Sequence, residues 1–201
     1  EMITSGISYF NTKRNTLWAD AIWIHLMKGS LVDALSAEQI ALVLSSLVLR
    51  NRIDHHAEMV LAAIAKRFPE KVIDFFGARL KQREEDEVLA AYEALPYRFT
   101  SLGKYLEASR AYLVAQSREW HRENPDFFEY RGGRLVQAVF PEFTAELECL
   151  LKNELTAGGT GAPQFVAKIL STYGGAPATH EIFKQIVDAA PPDDPVFGSV
   201  E

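Results

Sequence analysis

Asp54, His55, His56 and Glu58 place four metal-ligating side chains within five consecutive residues, and imidazole and carboxylate both suit zinc or iron. Adjacent side chains on a helix point about 100° apart, so His55 and His56 cannot easily face one ion. His55 and Glu58, at i and i+3, can, but their co-ligands would have to come from His25, His121 or His180, all distant in sequence. The pattern reads instead as a polar helix start, with Asp54 as the cap and both histidines in solvent. Cys149 lies among Phe143, Leu147, Leu150 and Leu151, which predicts a buried, unreactive thiol. Gly158, Gly159, Thr160 and Gly161 lack the preceding strand and the closing Gly-Lys-Ser/Thr of a phosphate loop, and read as a plain connection before Pro163. His25, beside Trp18, Ile22 and Leu26, reads as a core histidine, and the run Glu84, Glu85, Asp86, Glu87 as a solvated turn or helix end. No Ser-His-Asp set and no carboxylate pair in an apolar setting emerges. No catalytic residue, cofactor or metal site is therefore assigned.

The most suggestive surface feature is basic and aromatic. Lys104, Arg118, His121 and Arg122 fall opposite the tyrosines of one expected helix, and Tyr130, Arg131 and Arg134 follow around Gly132 and Gly133. Arginine forks onto carboxylates or phosphates and stacks on aromatic rings, so these seven residues are the candidate partner-binding set. Gly132 and Gly133 read as a turn or a flexible break.

The elements that must position these residues have a helical period almost throughout. Ser36 and Gln39 form a capping box, followed by Ile40, Val43, Leu44, Leu47 and Val48 on one face. Asp54 caps the next stripe, Ala57, Val60, Leu61, Ile64, Ala65 and Phe68. Pro69 and Glu70 then open a helix to about Gln82, with Arg79 and Lys81 at its negative end. Phe140-Pro141-Glu142 repeats Phe68-Pro69-Glu70 and is expected to open another helix. Ser101 and Leu102 introduce a helix carrying Tyr105, Leu106, Tyr112, Leu113 and Trp120, preceded by a weaker stripe of Val88, Leu89, Tyr92 and Leu95. Strand signals are poor.

Second-of-pair helices expected near 37, 69, 102, 141 and 179 recur with a degenerate period of about 36 residues, within the solenoid range. The expected fold is all-α: a short array of about five antiparallel helix pairs, with a compact globular helical bundle as the alternative. With its paired helices and prolines after Phe68 and Phe140, the stretch 16–189 resembles HEAT and armadillo-type repeats; the tetratricopeptide signature is not found. That resemblance implies a right-handed α-α superhelix serving as a scaffold or partner-binding surface.

The chain has 201 residues, 48% hydrophobic and 24% charged, which excludes a disordered or collagen-like chain. A single cysteine excludes an internal disulfide framework and suggests a cytoplasmic setting. Twenty-one Lys and Arg against 27 Asp and Glu give a net charge of -6, the wrong sign for bulk electrostatic binding of nucleic acid. Leu17 to Met27 is too short to span a bilayer. Residues 1–15 read as an N-terminal extension, 16–189 as the helical repeat domain and 190–201 as a linker-like tail of a longer protein. The expected function is a non-catalytic scaffold or protein-interaction domain whose partner is another protein or other domains of the same chain. A nucleic-acid-binding or DNA-processing HEAT-like module is the alternative.

Overall fold

A computed structural model describes residues 2–13, 30–85, 92–159, 161–174 and 177–189, with backbone alone at 2–3, 30, 83–85, 126–131 and 189. The described residues form α-helices, one short 3-10 turn and connections, with no strand among them. They divide into two units, Glu1–Ser109 and Arg110–Glu201. Among the described residues, no helix is long and apolar enough to cross a membrane.

The first unit contains α1 (Met2–Thr12), α2 (Ser30–Ala34), α3 (Ala37–Val48), α4 (His55–Ala65), α5 (Pro69–Glu85) and α6 (Gly103–Leu106), then a 3-10 turn at Glu107–Ser109. The capping box forms as expected: Gln39 N donates to Ser36 Oγ over 3.3 Å and Ser36 N to Gln39 Oε1 over 2.9 Å. Asp54 accepts from Ala57 N at 2.9 Å and starts α4. Pro69 opens α5 at once, because the missing amide belongs to the first turn, where it has no helical partner to lose. The apolar stripes of α3, α4 and α5 meet in one core, with Ile40, Val43, Val60, Leu61, Ile73 and Phe76 buried. α1 lies within the stretch read as an extension and packs on α3: Ile7 is buried, Asn11 Nδ2 donates to Ser45 Oγ at 3.0 Å and Gln39 Nε2 to Thr4 Oγ1 at 3.1 Å.

The second unit contains α7 (Arg110–Glu123), α8 (Pro125–Val139), α9 (Ala145–Ala157), α10 (Ala162–Ser171) and α11 (Pro177–Ala189). Helices neighbouring in sequence pack together: α7 with α8, α9 with α10 and α10 with α11, while α7 also meets α9 and α10. Leu113, Leu135, Val136, Leu147, Phe165 and Ile169 fill its core. The loop from α9 to α10 turns through Gly158, with φ 72°, and Gly161, with φ 76°, values that a side chain resists.

Four expectations change. The helix from Leu102 breaks into α6, the 3-10 turn and α7. Tyr92 and Leu95 lie in an irregular stretch, where burial of both rather than a helical face holds the chain; Val88 and Leu89 lie outside the described residues. Pro141 opens no helix: α9 begins four residues later because Thr144 Oγ1 accepts Leu147 N at 3.3 Å, a cap that Pro141 cannot supply. Gly132 and Gly133 make no turn but continue α8. A Cβ on Gly133 would lie 2.5 Å from Thr172 Cγ2, so the bare glycine is what lets α8 close on the end of α10. Gln137 Nε2 joins the same end by donating to Thr172 O at 3.0 Å.

Candidate functional site

The buried charges of the first unit bind main chain. Glu58, on the buried side of α4, accepts from Thr100 N at 2.7 Å, Ser101 N at 2.6 Å and Leu102 N at 2.9 Å through Oε1, and from Thr100 Oγ1 at 2.8 Å through Oε2. Burial pushes its carboxyl pKa up, but the donors from Ser101, Leu102 and Thr100 together hold it below the ordinary value. The carboxylate thus supplies the amides ahead of α6 with an acceptor that no local side chain provides. The expected polar helix start holds in part: Asp54 caps and His55 and His56 are exposed, while Glu58 turns inward. No group of three His, Cys, Asp or Glu able to hold a metal exists among the described residues.

Arg79 is fully buried. It sits at the middle of α5, which runs on to Glu85, and so does not compensate the negative end of its own helix. Its guanidinium serves the end of α3, with Nη1 donating to Leu47 O at 3.1 Å, Val48 O at 3.1 Å and Arg50 O at 2.7 Å. Nε and Nη2 donate to Ala94 O at 3.0 Å and Glu93 O at 2.5 Å, and the ring centroid of Tyr92 lies 4.4 Å from Cζ. Burial pulls the Arg79 pKa down to about 10 against the favourable fields of Tyr92 and Glu93. The same burial pushes the Tyr92 hydroxyl up to about 12, and that hydroxyl donates to Val48 O at 2.5 Å. Arg67 repeats the device on α2, donating to Val32 O at 2.9 Å and Asp33 O at 2.8 Å. Spacing offered one signal for Arg79: it falls at i+3 from Phe76, on the stripe of Val72 and Phe76.

The structure divides the basic candidates. Lys104 belongs to the first unit, exposed, with Nζ 4.9 Å from the centroid of Tyr105. Arg118 and His121 in the second unit are buried, 7% and 6% exposed, and both lie over Phe165, at 5.9 Å and 5.8 Å. They face the α9–α10 loop, since a Cβ on Gly161 would stand 3.8 Å from His121 Nδ1 and 3.9 Å from Arg118 Nη1. Arg122 is exposed and paired with Glu119; Arg134 is exposed and donates to Gln137 Oε1 at 3.2 Å. The backbone of Tyr130 and Arg131 is in α8, and their side chains lie outside the described residues. His25, Asp86, Glu87 and the tail 190–201 also lie outside them.

Cys149 corrects an expectation: it is exposed. Leu147 and Leu151, four residues apart, form the buried side of α9, and a residue two positions from Leu147 points about 200° away from it.

An open groove of about 520 Å³ runs between α3 and α5 in the first unit. Leu44 and Phe75 form its floor, while Ala41, Ser45 and Ala78 are exposed small residues that leave it unfilled. Its size falls in the range of ligand and peptide sites, and its lining is mostly apolar. Comparison with family models, with curated proteins and with solved structures found no match to this chain.

Proposed function

We propose that the chain is a non-catalytic helical-repeat scaffold that binds another protein through the outer faces of its helices. One observation carries this reading. The buried charged side chains of the first unit, Glu58 and Arg79, are committed to main-chain groups of neighbouring segments, whereas the α3–α5 concavity is apolar and open. Polar chemistry is thus spent on holding helices together, and the exposed feature is area between helices.

The superhelical arrangement belongs to the same proposal. Its support is an offset shared by some of the links between helices: the Glu58 links span 42 to 44 residues, whereas Arg67 to Val32 spans 35, Arg79 to Leu47 spans 32, Tyr173 to Phe140 spans 33 and Gln137 to Thr172 spans 35. These separations match the unit of a stacked helix-pair array.

The test is chemical cross-linking of the tagged chain in cells, followed by identification of the joined proteins. A partner captured reproducibly, and lost on charge reversal at the exposed Arg122 and Arg134, supports the scaffold with these two arginines in its interface. A partner kept by that variant removes the two arginines from the account. A chain that captures nothing, or that turns over a substrate, overturns the reading.

A further inference from the structure

We draw no further inference here: the strongest candidate, the open apolar groove between α3 and α5, carries none because nothing in the structure shows what covers it.

Discussion

Glu58 Oε1 accepts the amide proton of Leu102 at 2.9 Å across 44 residues of sequence, and the amides of Thr100 and Ser101 converge on the same oxygen. One side chain of α4 thereby holds the segment that leads into α6. Replacement by alanine strands the buried amide of Leu102 and leaves the less buried amides of Thr100 and Ser101 without their acceptor, and replacement by glutamine keeps one acceptor oxygen but loses the charge. Charge-assisted hydrogen bonds contribute about 1.5–3 kcal/mol and unmet buried donors cost about 1–3 kcal/mol each. E58A is expected to lower unfolding stability by about 3 kcal/mol and E58Q by about half of that, read as urea midpoints by circular dichroism. Equal stability of all three chains would show that water replaces the carboxylate without loss.

The same carboxylate makes stability depend on acid. Its pKa in the folded chain lies below the ordinary value of 4.5 because the donors from Ser101, Leu102 and Thr100 favour the charged form over the penalty of burial. A lowered folded pKa means that the contribution is complete above 4.5 and disappears as pH falls through the folded value. Urea midpoints of the unaltered chain should therefore fall between pH 5 and pH 3, and those of E58Q should fall less over the same interval. A parallel decline in both would assign the acid sensitivity to other carboxylates.

Arg79 is a fork, and lysine is not. The three carbonyls at the end of α3 and those of Glu93 and Ala94 occupy all three guanidinium nitrogens, with Tyr92 stacked 4.4 Å away. R79K keeps the charge but can satisfy only part of this set, and about 2–3 kcal/mol of stability should be lost. R79M removes the charge as well as the donors and leaves the carbonyls unmet. Y92F, which removes only the hydroxyl bond to Val48 O, should cost about 1 kcal/mol. Denaturant unfolding ranks the three, and the arginine account fails if R79K equals the unaltered chain.

Gly133 and Thr172 form a pair that substitution can test from both sides. A β-carbon at position 133 overlaps Thr172 Cγ2, so G133A should lose about 1–3 kcal/mol, the ordinary penalty of overpacking. T172S removes that methyl group while keeping the hydroxyl that donates to Ile169 O at 2.7 Å. The double variant G133A/T172S should recover most of the loss, because alanine favours a helix interior over glycine by up to about 1 kcal/mol. A double-mutant cycle with no coupling would refute close approach as the reason for the glycine.

Much of the local architecture is legible in residue order because its causes act within a helical turn. Ser36 meets Gln39, Asp54 meets Ala57 and Pro69 starts α5, all through neighbours three residues away or fewer. The exposure of Cys149 was legible too, since it stands two residues from Leu147 and therefore on the far side of α9. The candidate groove was not. It exists because two stripes separated by about 30 residues lie side by side with small residues outward, and no local rule states which exposed faces become neighbours.

Residue types and their period determined by themselves that this chain would be helical, where several helices begin and which faces turn inward. Tertiary structure alone decided that Arg79 ends a different helix from its own, that Glu58 holds a segment more than 40 residues away, and that Gly133 continues a helix instead of breaking one. The reason is the range of the forces. Caps and apolar stripes compete over a few residues and can be compared directly, whereas the worth of a buried charge or a missing side chain depends on which distant atoms packing brings within about 3 Å of it.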